Sequence, residues 1–329
     1  MTEFLTKEIV HAGTISHGKP NVKGNHVPTI DCHIDIPWQC YKQGSALDLE
    51  MDVPSVQVDF PRMKEGGLDK FVAALYLHDG TQDKLGPDKS WNAIMNQWHH
   101  LSHWPQIEFA LEGGRLLNQS TERLEELAKL GIIYITLTHN RNTEWADSAT
   151  DQLEHNGLTA RGKSLVKRIQ SLGILVDLSH SSDQTALDVL DKATVPVIAS
   201  HSGVRNLVDH PRNLSDFLIR EIAATGGIIG IPYASRFVIN CDGVVLAIDY
   251  IAQLLGSTKH LAIGSDLDGA DTVIKDVSEW STVLDPLSDL GYSSDDIAGI
   301  KGGNFQALLS KMAGSTTNQV EVSNGRVKQ

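Results

Sequence analysis

The chain has 329 residues, 41% hydrophobic and 21% charged, which is ordinary globular usage and enough to bury a full core without disulfide staples. A formal net charge of −13 argues against nucleic acid or an anionic membrane as partner, and no run approaches the ~20 apolar residues that span a bilayer. Three cysteines, Cys32, Cys40 and Cys241, provide no disulfide framework and read as reduced thiols in a cytoplasmic protein.

Along the chain one type of unit recurs. A short apolar, β-branched run ends in a polar cluster, and an amphipathic segment follows. The runs are 27–32, 70–77, 107–111, 132–138, 174–178, 196–200, 227–231 and 261–265. Continuous rather than alternating apolar character predicts strands covered on both faces, as in a parallel sheet. The segments between them read as helices. Leu124, Leu127 and Ala128 share a face that stops at Gly131; Leu165, Ile169 and Leu172 repeat the pattern; Ser181 and Gln184 have capping-box spacing; Val245, Ile248, Ala252 and Leu255 form a stripe closed by Gly256. Eight strands alternating with helices predict an α/β fold of the (β/α)8 barrel type. An open doubly wound sheet is the alternative, but no glycine-rich dinucleotide fingerprint follows the first run. No linker divides the chain, so 1–329 reads as a single barrel domain. Residues 1–26 and 313–329 are expected as peripheral segments, with Gly314-Ser315-Thr316-Thr317 turn-like.

Barrel enzymes carry their chemistry at the carboxyl ends of the strands. There this chain has Asp31-Cys32-His33-Ile34-Asp35, then Glu112, His139, His180, His201, and Asp266 followed by Asp268. Residues two apart on a strand point the same way, so His33 and Asp35 can reach one metal ion, and Cys32 should face the helical layer as a small core residue. His180 and His201, from neighbouring strands, can hold a second ion, and Glu112 can bridge both. Imidazole and carboxylate donors suit Zn2+, with Mn2+, Co2+ or Fe2+ as substitutes. His78, after the second run, reads as an ordinary hydrogen-bonding residue, and Asp268 as a loop brace.

At these residues the sequence resembles the renal (membrane) dipeptidase family of metallopeptidases. DCHIDIPW, ALEGG, LTHNRNTEWADS, GLTARGKSLVKRIQSLGILVDLSH, PVIASHSGVRN, HPRN, GSDLDG and KGGNF follow in the family's order, from residue 31 to about residue 305. The resemblance implies a (β/α)8 barrel with two zinc ions. It implies that His33 and Asp35 bind one zinc, that His180 and His201 bind the other, and that Glu112 bridges them. It further implies that His139 lies near the substrate carbonyl oxygen, that Arg212 meets the substrate carboxylate, and that Asp266 is the acid/base group. The substrate so implied is a dipeptide, L-Xaa-L-Xaa or L-Xaa-D-Xaa, and the assembly a homodimer.

Animal relatives carry a secretion signal and a lipid anchor; MTEFLTKEIV and VEVSNGRVKQ show neither pattern, which fits a soluble microbial member. The stretch PYASR at 232–236 departs from the family pattern and is expected to shape the substrate pocket, as is the polar segment 79–91. Two other functions compete with a dipeptidase: a related binuclear-metal hydrolase of a non-peptide amide or lactone, and a binding protein on an inactive barrel. The second would have lost a metal ligand, and the set here is complete.

Overall fold

A computed structural model describes residues 27–44 and 47–324. Eight parallel strands run β1 Ile30–Ile34, β2 Lys70–Leu75, β3 Ile107–Glu112, β4 Tyr134–Thr136, β5 Leu175–Asp177, β6 Val197–Ile198, β7 Ile229–Ile231 and β8 Leu261–Ile263. Each lies on or against its predicted run. They pair in the order β6-β5-β4-β3-β2-β1-β8-β7. A parallel bridge between Ala199 and Ile229 joins the two outer strands, with Gly230 N–H donating to the Ala199 carbonyl at 2.8 Å. The sheet is therefore a closed (β/α)8 barrel, and the open-sheet alternative is excluded.

Strand parity separates two cores. Ile30, Val72, Ala110, Tyr134, Leu175, Ile198, Ile228 and Ala262 point inward, one from each strand or its edge, and Phe305, Leu308 and Met312 join them. Their neighbours, such as Phe71, Leu111, Ile135, Val176, Val197, Ile229 and Ile263, face the helices. The helical caps follow from the sequence. Ser120 caps Thr121–Lys129 by accepting the Arg123 amide, and Asn240 caps Cys241–Leu255, which ends at a left-handed Gly256.

Two local expectations need correction. The cap of helix Asp183–Asp191 is Ser182, whose hydroxyl accepts the Thr185 amide, so no Ser181–Gln184 box forms. Gln184 instead reaches Asp188 one turn on. Gly314-Ser315-Thr316-Thr317 is not a turn, because helix Asn304–Asn324 runs through it; one glycine inside a helix costs only about 1 kcal/mol. Residues 1–26, and part of 313–329, lie outside the described residues. Among the described residues no helix is long and apolar enough to cross a membrane.

Candidate metal centre

The first strand carries the feature that builds the site. Asp31 pairs with Phe71 and Ile34 with Ala73, so three steps on β1 oppose two on β2. This is a β-bulge, and it shifts side-chain parity by one. Cys32 and His33 both face the barrel interior. Cys32 packs with Ile30, Val72 and Ala110 rather than against the helical layer, which corrects the simple alternation expected for it. Asp31 fastens the bulge. It accepts the His33 amide at 3.0 Å, the Ser265 amide at 2.9 Å and the Trp280 indole at 2.6 Å. Burial raises its pKa to about 6 against the pull of these donors.

Around Glu112 the predicted ligands converge. Its Oε1 lies 3.6 Å from His33 Nε2, 3.1 Å from His180 Nε2 and 3.6 Å from His201 Nε2. His33 Nε2 is 3.7 Å from Asp35 Oδ2, and the Nε2 atoms of His180 and His201 are 3.1 Å apart. The donor atoms of three sets each fall within 4.8 Å of one another: His33, Asp35 and Glu112; Glu112, His139 and His180; His33, His201 and Asp266. His180 and Asp266 hold left-handed backbones, φ 67° and 63°, a strain typical of side chains aimed at a functional centre.

These residues fit a divalent metal. His33 Nε2 and Asp35 Oδ1 are buried with no hydrogen-bond partner. Orphaned donors packed around one carboxylate oxygen repel or desolvate one another unless a cation lies among them. The electrostatics agree. Burial, then Asp35, pushes Glu112 well above the carboxylate range and carries Asp266 up to about 8. Burial opposes charge on His33, yet the Glu112 and Asp35 carboxylates bring it up to about 10. Burial holds His180 and His201 well below the imidazole range, which leaves them neutral and able to ligate. Without a metal, then, protons gather where positive charge is needed.

Asp35, Glu112, His139, His180 and Asp266 line a cavity of about 270 Å3. Arg212 lines it, buried, with Nε and Nη2 unpartnered and its guanidinium 5.2 Å from the Phe237 ring. Burial lowers it to about 10 although Asp266 and Glu112 favour its charge. A buried guanidinium with open donors is an anion site. His139 turns Nδ1 towards Tyr76 Oη at 3.4 Å and Asp79 Oδ2 at 3.8 Å, leaving Nε2 for the cavity. His78 both lines the cavity and caps helix Asp79–Leu85, accepting the Gly80 amide on Nδ1. Asp268 braces the loop as expected: its carboxylate accepts the Gln57 amide and its own amide donates to Gln57 Oε1, each at 2.8 Å.

The pocket wall meets one expectation and departs from another. Segment 79–91 is helical and lends only Asp79, from behind His139. In the 232–236 stretch Ala234 and Arg236 line the cavity, whereas Tyr233 is buried outside the barrel and donates to the Trp280 carbonyl at 2.7 Å. Reading the sequence missed Tyr76, Trp38 and Asp271 at the cavity, and Tyr134, Asp177 and Ser200 behind the ligands. Nothing distinguishes these from ordinary strand or loop residues in the sequence itself.

Comparison with known proteins gives a consistent result. The family model described as membrane dipeptidase (peptidase family M19) matches residues 23–106 and 89–321. An uncharacterized dipeptidase of Schizosaccharomyces pombe is 33% identical over 325 residues, covering 85% of this chain and 79% of the relative. Dipeptidase aclJ of Aspergillus oryzae is 30% identical over 294 residues, covering 77% and 69%. Among solved structures, a metallo peptidase from Rhodobacter sphaeroides, liganded with a phosphinate mimic of L-Ala-D-Ala, superposes with a TM-score of 0.76 at 20% identity, covering 88% of this chain and 100% of that one. The probable dipeptidase PvdM from Pseudomonas aeruginosa gives 0.76 at 21%, covering 87% and 95%. At such identities the structural likeness speaks for the fold.

Proposed function

The chain belongs to the membrane dipeptidase family, peptidase family M19, and on that premise we propose that it is a two-zinc dipeptidase cleaving L-Xaa-L-Xaa or L-Xaa-D-Xaa dipeptides. The observation that carries this reading is the juxtaposition of orphaned, buried metal donors around Glu112 with the unpartnered guanidinium of Arg212, across one small cavity. In this reading His33 and Asp35 hold one ion, His180 and His201 the other, and Glu112 serves both. The 3.1 Å approach of the His180 and His201 Nε2 atoms supports that pairing.

A divalent ion held there by His33, Asp35, Glu112, His180 and His201 would supply Lewis acidity to polarise the scissile carbonyl and activate water. The rest is done by the protein's own groups. Arg212 pairs its planar fork with the substrate's terminal carboxylate and so selects peptides with a free carboxyl end. With Tyr76 Oη–H donating to its Nδ1, His139 directs an Nε2–H at the scissile carbonyl oxygen as charge develops on it, a contribution of roughly 3–4 kcal/mol per donor in comparable sites. Asp266 accepts the proton of the attacking water and passes it to the leaving nitrogen. A cavity at or below the ~300–1,000 Å3 usual for drug-sized ligands suits a substrate of two residues.

The test is a panel of L,L- and L,D-dipeptides, offered to the full chain after its metal content has been measured by elemental analysis. Hydrolysis of at least one member is expected. A metal-loaded sample that cleaves none would overturn the reading, and cleavage of N-acyl amino acids with dipeptides untouched would favour the related amide hydrolase.

A further inference from the structure

Behind the metal-facing histidines lies a set of buried polar groups with no substrate or metal to touch. Asp177, at the end of β5, is fully buried and accepts four hydrogen bonds. Its Oδ1 takes the amides of Ser179 at 3.1 Å and Ser200 at 2.8 Å; its Oδ2 takes the hydroxyls of Thr136 and Ser200, each at 2.7 Å. An ionised carboxylate only accepts, so every hydrogen in this cluster points at it.

That fixes Ser200. Its hydroxyl has one proton, and the proton is committed to Asp177. A carboxylate is a stronger acceptor than the neighbouring hydroxyls, and Ser179 Oγ lies farther away at 3.3 Å. At His201 Nδ1, 2.8 Å away, the Ser200 oxygen can then only accept. His201 must carry its hydrogen on Nδ1, which leaves Nε2 bare and facing Glu112 and His180. The same count holds on the other side of the site. Tyr134 Oη donates to the Cys32 carbonyl at 2.8 Å, so at 2.7 Å it accepts the Nδ1 hydrogen of His33, and His33 Nε2 is again the nitrogen turned to the carboxylates. His180 Nδ1 has no such partner.

We infer that Asp177, acting through the Ser200 hydroxyl, is a positioning residue that fixes the tautomer of His201 for metal binding, and that Tyr134 does the same for His33. The inference rests on the proposed metal site. Partners of this kind typically change metal affinity 10–100-fold when removed.

Asp177→Asn discriminates this role from simple support of the fold. An amide at this place offers N–H to Ser200 Oγ, so the serine proton turns to His201 Nδ1 and the histidine must protonate Nε2, the wrong nitrogen for the metal. Zinc retained by the full chain against a graded chelator is expected to fall by about 10–100-fold in affinity. The 15N-histidine spectrum of the chelated chain should move one ring from the Nδ1–H to the Nε2–H pattern. Thr136→Val removes another donor to the same carboxylate, without a route to a histidine, and should leave both readouts as in the wild type. Tyr134→Phe removes only the oxygen beside His33 and should also weaken zinc retention by about 10–100-fold; it serves as the independent arm if Asp177→Asn does not fold. Unchanged zinc affinity in Asp177→Asn and Tyr134→Phe, an unmoved tautomer, or an equal loss in Thr136→Val overturns the inference. A wild-type chain that retains no metal at all overturns instead the metal-site reading on which it rests.

Discussion

Asp266 shows how burial converts an ordinary side chain into a reagent. Without a metal, burial and the nearby Asp35 carboxylate raise it to about 8, and its carboxylate lies within 4.8 Å of the ligand atoms of His33 and His201. Asp266→Asn keeps the shape and cannot take a proton. The variant is expected to bind metal as the wild type does while kcat drops by roughly 100–10,000-fold, the usual range for losing a general acid–base group; elemental analysis alongside dipeptide kinetics checks both halves. Arg212 predicts a different signature. Arg212→Met removes a fork that meets the free carboxylate, so the wild type's preference for dipeptides over their carboxyl-terminal amides should shrink by at least about tenfold in kcat/KM, the scale of one charge-assisted pair. An undiminished preference would detach Arg212 from the carboxylate. The metal-facing residues were legible because each ends an apolar run with a group that has no reason to be buried. Tyr134, Asp177 and Ser200 were not, since they lie within or beside the runs and their value depends on hydrogen-bond partners from other strands. Cys32 was misplaced by one parity step, because the extra residue in β1 has no turn chemistry or glycine to announce it.

Loops, at the level of the element, hold the site as much as strands do. Between β4 and helix Ala160–Ser171 the chain folds over Asp147, whose carboxylate accepts the amides of Glu154 at 3.0 Å, His155 at 3.0 Å and Gly157 at 3.0 Å. Burial opposes its charge, but these amides hold it below the usual carboxylate range. A depressed native pKa means that the stabilisation is complete above the unfolded value of ~3.9 and is lost as pH falls through the lower native value. Asp147→Asn replaces half of the acceptor with an N–H donor facing other donors and should cost about 1–3 kcal/mol. Chemical denaturation at several pH values should give a constant deficit above about pH 5 that narrows below about pH 4. A deficit independent of pH would show that the carboxylate's charge does not hold the loop. The same level explains the misplaced helix cap. Ser181 and Ser182 are equivalent in the sequence, and only the turn after β5, pinned by the Ser182 amide donating to the Asp147 carbonyl at 3.0 Å, makes the second serine the cap.

For the molecule as a whole, the alternation of eight runs made the barrel legible, but its closure depends on something the runs do not contain. The seam between β6 and β7 is short: Ala199 donates to Ile228, Gly230 to Ala199, and Ser202 to Gly230, at 2.9, 2.8 and 3.0 Å. It closes only because the carbonyl of Ser200 occupies the interior positions where side chains of Gly230 and Gly264 would project. A Cβ built on either would lie 1.9 or 1.8 Å from that oxygen. Backbone on one side and strand on the other leave no flexible atom to yield, so Gly230→Ala must displace the segment carrying Ser200 and His201. Overpacking of this kind costs roughly 1–3 kcal/mol. Here the strain falls on a metal ligand, so the loss of zinc retention should accompany the loss of stability. A Gly230→Ala chain that matches the wild type in denaturation midpoint and in zinc held against chelator would mean that the seam has slack and that closure of the barrel does not set the position of His201.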